Sequence, residues 1–117
     1  MVPAPVKDII SFDDFEKIDI RVGTIISVTE VAKSDKLMKL MVDFGDHTRS
    51  ILAGIKHERE DPTEILGKQA LFVLNLAEKK MAGEVSQGML FDLGYADKIT
   101  PCLATPELPV PNGTRAG

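Results

Sequence analysis

The chain has 117 residues, of which 44% are hydrophobic and 27% charged, the composition of a single globular domain rather than a disordered segment. One cysteine excludes an internal disulfide, and no apolar run approaches the roughly 18 residues of a membrane helix. The formal net charge of -4, taken over the whole molecule, argues against a polyanionic partner. Because the N-terminus has no basic segment followed by an apolar one, we expect a soluble cytoplasmic protein with no membrane partner.

The N-terminal residues predict an extended arm followed by a short helix. Residues 1–11 are rich in proline and form the expected arm. Ser11 is a favoured N-cap residue, and Asp13 and Asp14 precede Lys17, an order that the helix dipole favours. We therefore expect about two helical turns after Ser11.

Alternating apolar and polar residues predict three consecutive strands after this helix. The first begins at Asp19, and one of its faces is expected to carry Ile20, Val22, Thr24, Ile26 and Val28. Gly23 within it predicts a bend or bulge by which one strand serves two parts of a sheet. A second strand at 37–44 and a turn at 45–47 lead into a third strand at 48–53.

The second half of the chain predicts two longer strands, at 69–76 and 88–93. The connecting and closing segments are a helical turn at 61–67, a polar loop at 77–87, an extended piece at 99–104 and a turn at 109–113. Three hairpin-linked strands, a helical connector and two more strands are the order of the OB-fold.

We therefore predict an all-β protein, a five-stranded OB-fold Greek-key barrel with a short N-terminal helix and a C-terminal extension. A generic β-sandwich has a similar strand pattern and is the alternative that periodicity leaves open. The arm covers residues 1–11 and the domain covers residues 12–117.

Residue types that catalyse reactions or bind metals are few and are not suitably spaced. His47 and His57 belong to no His-Glu-x-x-His pair, and Cys102 is remote in sequence from both. We expect His47 to lie in a turn, His57 to lie on the surface and Cys102 to be a small buried thiol. The segment Gly83–Gly88 lacks the Gly-Lys-Ser/Thr ending of a phosphate-binding loop. The sequence therefore predicts no enzyme, no metal and no cofactor.

Charge is distributed unevenly along the chain. Residues 1–20, 57–66 and 92–107 carry twelve acids and four bases, a net -8, whereas the remaining residues carry ten bases and six acids, a net +4. Bases that flank or enter the predicted strands are Lys33, Lys36, Lys39, Arg49, Lys79 and Lys80. The ligand face of an OB-fold comes from these regions, so the bases could converge, although solvated lysines are the simpler explanation.

Short motifs in order along residues 12–115 resemble the tRNA-binding domain family. They are Phe15-Glu16-Lys17-Ile18-Asp19-Ile20-Arg21-Val22-Gly23-Thr24-Ile25, Asp35-Lys36-Leu37, Val42-Asp43-Phe44-Gly45, Ala53-Gly54-Ile55, Leu66-Gly67-Lys68, Asn75-Leu76, Lys79-Lys80-Met81-Ala82-Gly83, Ser86-Gln87-Gly88-Met89-Leu90 and Pro111-Asn112-Gly113-Thr114-Arg115. The family includes C-terminal domains of methionyl-tRNA synthetases, the endothelial monocyte-activating polypeptide, stand-alone structure-specific tRNA-binding proteins and the CsaA export chaperone. Its fold is an OB barrel, and its stand-alone members are homodimers.

The resemblance implies recognition of tRNA by shape, over its backbone and outer corner, with little dependence on sequence. The matching contact positions are Asn75, Lys79, Lys80, Ser86 and Met89, with Lys36 and Arg49 as supporting bases. Lysines suit phosphates, Asn and Ser are adaptable hydrogen-bonding groups, and a flexible Met suits a base or ribose. As alternatives, Met89 could fill the core, Asn75 could satisfy a strand end and Ser86 could cap the loop.

One loop departs from the family pattern. Where many tRNA-binding members have His-Pro-Asn-Ala, this chain has Val31-Ala32-Lys33-Ser34, in which Lys33 adds a charge. We expect a homodimeric, non-catalytic tRNA-binding protein, and the alternative is a CsaA-like chaperone that binds unfolded preproteins. Ala53-Gly54-Ile55 and Ser86-Gln87-Gly88-Met89 favour the first. A synthetase C-terminal domain is less favoured because no catalytic segment is present, although an aminoacyl-tRNA synthetase could be a partner in trans.

Overall fold

The computed structural model describes residues 1–117 and contains one short α-helix, one 3-10 turn and ten strands. The helix α1 spans Phe12–Glu16 and the 3-10 turn spans Pro62–Ile65. The strands are β1 Ile20–Glu30, β2 Met38–Asp43, β3 Thr48–Ala53, β4 Gln69–Val73, β5 Lys79–Met81, β6 Glu84–Ser86, β7 Met89–Leu90, β8 Asp92–Leu93, β9 Cys102–Leu103 and β10 Arg115–Ala116. No helix has the length and apolar character needed to cross a membrane.

Five strands form a curled antiparallel sheet in the order β3-β2-β1-β4-β7, and β10 adds to β1. This arrangement, with β1 between its hairpin partner and β4, confirms the predicted OB-type barrel, the short N-terminal helix and the C-terminal extension. Asp19 accepts hydrogen bonds from Arg21 at 2.9 Å and Arg115 at 3.3 Å, which ties β10 to the start of β1. The hydrogen bond from Arg21 holds the pKa of the Asp19 carboxyl below its usual range.

Strand β1 serves two parts of the sheet, as Gly23 predicted. Its residues 20–24 pair with β4 and its residues 24–30 pair with β2, with a register shift between Ile25 and Ser27. Because this bulge interrupts the alternation, Ile25 is fully buried whereas Ile26 is half exposed. The prediction that Ile26 shares the face of Val22 was therefore wrong.

The core lies inside the curl of the sheet and contains thirteen buried residues. Strand β2 supplies Met38, Leu40 and Val42 by strict alternation, as the sequence predicts. Phe44, just after this strand, packs edge-on against Phe72 of β4 with 5.5 Å between ring centroids. Side chains from both halves of the chain thus share one core.

Four local predictions differ from the structure. The polar loop expected at 77–87 contains the hairpin β5–β6, the strand expected at 69–76 ends at Val73, and the strand expected at 88–93 is divided into β7 and β8. Cys102 is exposed rather than buried, because β9 pairs only with the two-residue edge strand β8. The N-cap prediction is confirmed, since the Ser11 hydroxyl accepts from Asp14 N at 3.0 Å, although the helix is shorter than expected.

Candidate nucleic-acid interface

The hairpin β5–β6 carries two of the predicted lysines. It turns through Ala82 and Gly83, whose φ angles are 50° and 83°, as a two-residue hairpin turn requires. Lys79 lies opposite Ser86 in the register and faces the barrel. Lys80 lies opposite Val85 on the outer face, where both side chains are exposed.

Ala82→Asn should stabilise the protein, because asparagine adopts positive φ at less cost than alanine and Asn-Gly is the favoured sequence for this turn. We expect the free energy of unfolding to rise by about 0.5–1 kcal/mol, measured by urea denaturation. A matched control, Ala77→Asn, changes an exposed residue of the same connection at which φ is not positive, and it should have little effect. A lower stability for Ala82→Asn would contradict the observed turn.

Ser86 at the end of β6 and Gln87, which follows it, bind the free edge of β3. The Ser86 hydroxyl accepts from Leu52 N at 3.0 Å and donates to Gly88 O at 3.0 Å. The Gln87 side-chain oxygen accepts from Ser50 N at 2.9 Å, while Gln87 N donates to Ser50 O at 2.8 Å. These groups take the place of a neighbouring strand and fix the end of the hairpin against the barrel.

Arg49 joins the same segment to the end of β4. Its Nη1 donates to Leu74 O at 2.8 Å and to Gln87 O at 3.0 Å, and its Nε donates to His47 Nε2 at 2.9 Å. His47 in turn donates from Nδ1 to Asp46 Oδ1 at 2.6 Å. The hydrogen bond from His47 lowers the pKa of the Asp46 carboxyl.

Asn75 binds the chain just before β1. Its side-chain oxygen accepts from Asp19 N at 2.8 Å, and its amide nitrogen donates to Lys17 O. The predicted site residues Arg49, Asn75 and Ser86 thus direct polar atoms to partners inside the protein. They position the surrounding segments.

The four other predicted basic residues, Lys33, Lys36, Lys79 and Lys80, are exposed, and none of them forms an ion pair. We call these four lysines the basic surface. Lys33 and Lys36 lie in the β1–β2 loop, where the Ser34 hydroxyl accepts from Lys36 N at 3.2 Å and from Leu37 N at 3.0 Å.

The β1–β2 loop reaches the hairpin. Lys33 Nζ lies 3.8 Å from the position that a Cβ would occupy at Gly83. Beside it, Lys39 of β2 forms an ion pair with Glu84 of β6 at 2.9 Å. The structure therefore brings Lys33 to the hairpin that carries Lys79 and Lys80, and Lys39 helps to hold that hairpin in place.

Met89 lies between a cleft under the hairpin and an acidic pocket. The cleft has a volume of about 320 Å³ and includes Lys79 in its wall. The pocket has a volume of about 280 Å³ and is lined by the carboxyl groups of Glu58 and Asp92, whose pKa values burial raises. The neighbouring Arg59 approaches Glu58 to 3.6 Å. Basic and acidic residues thus lie on opposite sides of Met89.

Sequence reasoning did not select two residues of this region. Gln87 binds the edge of β3, and Leu76 lines the cleft with half of its side chain exposed. Both residues occur within motifs that carry the family resemblance, so these motifs could have identified them as candidates. His47 in a turn and His57 on the surface lie as expected.

Comparison with known proteins assigns the family. Residues 20–115 match the family described as "Putative tRNA binding domain". The methionine–tRNA ligase of Methanococcoides burtonii is 51% identical over 85 residues, which are 72% of this chain and 12% of that protein. The chain therefore spans only a small part of the length of such relatives.

Two solved structures share the fold over nearly the whole chain. A MetRS related protein from Pyrococcus horikoshii has a TM-score of 0.86 and 35% identity, covering 95% of this chain and 100% of that one. The chaperone CsaA from Bacillus anthracis has a TM-score of 0.80 and 27% identity, covering 94% and 100%. Because the family model matches most of the chain and the relatives are this similar, the chain belongs to the putative tRNA-binding domain family.

Proposed function

We propose that this chain binds tRNA without catalysing a reaction and recognises the shape and backbone of the folded RNA. The observation that carries the proposal is the basic surface, in which Lys33 approaches the hairpin of Lys79 and Lys80 with no carboxylate paired to any of them. Membership of the tRNA-binding domain family supplies the class of nucleic acid. We place the activity in the cytoplasm, and a synthetase acting with it in trans is a compatible partner.

The chemistry of the surface supports binding with little sequence specificity. Lysines act as mobile point charges that contact phosphates, and phosphate contacts carry no sequence information directly. Arg49, Asn75 and Ser86 hold the segments beside the hairpin through hydrogen bonds within the protein. Their proposed contribution to tRNA binding is therefore to position the lysines, while Met89 and the lysines provide contacts.

The chaperone hypothesis is the second candidate, because CsaA shares this fold and the cleft beside Met89 is apolar. Fluorescence anisotropy with total tRNA and with an unfolded preprotein separates the two candidates. We expect tRNA to bind with a Kd in the micromolar range or tighter at about 50 mM salt. Absence of tRNA binding, together with binding of the preprotein, would replace the proposed function with the chaperone.

We further propose that the chain acts as a homodimer joined through its N-terminal arm. Val6 and Ile9 are both 99% exposed, although they are apolar. After them in the chain, the exposed aromatic side chains of Phe12 and Phe15 line a depression of about 350 Å³ that also includes Glu16, Arg115 and Ala116. The exposed apolar residues of the arm and these aromatic side chains are surfaces that a second copy would cover.

Light scattering at micromolar concentration should give about twice the chain mass of 12.8 kDa. Deletion of residues 1–10 should shift the mass to that of one chain without loss of β structure by circular dichroism, because the arm contributes no residue to the core. A mass near 12.8 kDa for the full chain would contradict the homodimer.

A further inference from the structure

The cleft under the hairpin has properties that phosphate binding does not require. It lies between the hairpin β5–β6 and the barrel, and the apolar side chains of Leu52, Leu76, Met81 and Met89 form most of its wall. Leu76 is 50% exposed and Met89 is 47% exposed, so neither is needed to fill the core. Two large apolar side chains are thus left open to solvent beside an unpaired lysine.

The dimensions and chemistry of the cleft suit a single nucleobase. Its volume of about 320 Å³ is at the lower end of the range for small-ligand sites, roughly 300–1,000 Å³. Aliphatic and thioether side chains offer a surface for the flat face of a base. Lys79 in the same wall supplies a positive charge for the phosphate attached to that base.

We propose that this cleft binds one unstacked nucleotide of the RNA, with the base against Leu76 and Met89 and the phosphate on Lys79. The inference rests on the proposed function and adds a structural requirement to it. Charge complementarity favours a nucleotide over an apolar peptide side chain, because Lys80 lies on the hairpin that covers the cleft and Lys33 approaches that hairpin from the β1–β2 loop.

The same geometry predicts which property of the RNA is recognised. The Ser86 hydroxyl at the cleft already bonds Leu52 N and Gly88 O, so this hydroxyl is committed within the protein. A base in the cleft would therefore be selected for being unstacked rather than for its identity. Bases within a regular duplex are stacked and cannot enter, whereas loops and bulges offer free bases.

The test compares two RNA duplexes without loops, one fully paired and one with the same paired sequence and a single bulged nucleotide. We expect the wild-type chain to bind the bulged duplex at least about fivefold more tightly, because the face of the bulged base is removed from water against Leu76 and Met89. Leu76→Ala and Met89→Ala should each reduce that preference. Neither should change the slope of log K against log salt, because neither residue carries charge.

Val85→Ala is the matched control, because Val85 is an exposed apolar residue on the outer face of the same hairpin. It should leave the preference for the bulged duplex unchanged. Equal wild-type affinity for the two duplexes would overturn the nucleotide site while leaving tRNA binding itself intact. Loss of preprotein binding in Leu76→Ala and Met89→Ala with RNA preference unchanged would identify the cleft as a peptide site instead.

Discussion

Replacement of both Lys79 and Lys80 by glutamate is expected to weaken tRNA binding by about 100-fold or more at low salt. Both side chains are exposed, neither forms an ion pair, and reversal replaces two phosphate attractions with two repulsions. Anisotropy with labelled tRNA at about 50 mM salt measures the loss. The melting temperature should stay nearly unchanged, because exposed lysines contribute little to stability.

Lys68→Glu combined with Lys98→Glu is the matched control for this variant. Both lysines are exposed, and neither belongs to the basic surface or to the N-terminal arm, so net charge changes equally while both of these surfaces are unaltered. We expect an effect of about threefold or less, because charges beyond a Debye length are screened. Equal loss of affinity in the two double variants would show that binding follows net charge and not the local arrangement of lysines.

Gly23→Ala is expected to lower the free energy of unfolding by about 3 kcal/mol, the upper end of the range for overpacking a core. A Cβ at this position would lie 2.5 Å from Val42 Cγ1 and 2.7 Å from Phe44 Cε1. Both neighbours are fully buried, so they have little room to move away. Urea denaturation, with comparison of midpoints and slopes, measures the effect.

Gly54→Ala tests whether the loss at Gly23 comes from crowding. No atom lies within 4 Å of a Cβ at Gly54, and this glycine has no positive φ. Its replacement should change stability by less than about 0.5 kcal/mol. If Gly23→Ala unfolds at the same urea concentration as the wild type, β1 does not pass as close to β2 as the structure shows.

The strands around the core could be predicted from sequence wherever alternation was strict. β2 and β3 were predicted in this way, since apolar residues alternate along β2 and the turn residues Gly45 and Asp46 separate the two strands. Gly23 indicated a bend or bulge in β1, but the position of the bulge between Ile25 and Ser27 could not be predicted, because Ile25 and Ile26 are both apolar and either could face the core. The hairpin β5–β6 has no apolar alternation, and Ala82 gives little indication of positive φ.

The lysines of the candidate site could be selected from sequence, whereas the roles of its neutral polar residues could not. Ser86 and Asn75 were expected to contact tRNA, with a loop cap and a strand end as their alternatives. A sequence does not specify which hydrogen bonds a polar side chain has already made. The structure gives Ser86 two partners within the protein and joins Asn75 to the chain before β1, so both alternatives describe their observed bonds.

The uneven distribution of charge explains how a chain with a net charge of -4 is compatible with a polyanionic partner. Acidic residues concentrate in residues 1–20, 57–66 and 92–107. Two of them, Glu58 and Asp92, line the same pocket next to Met89. The basic surface occupies the hairpin and the β1–β2 loop. A negative total charge should therefore moderate affinity for RNA without preventing binding at this surface.

A salt titration of tRNA binding tests the central claim most directly. Anisotropy from about 50 to 300 mM salt, run beside a duplex DNA of equal length, gives the dependence of log K on log salt. Four lysines that each neutralise a phosphate predict a slope of about -3 to -4 for tRNA, with weaker binding of the DNA. Absence of tRNA binding at low salt, or a slope near zero, would contradict the account.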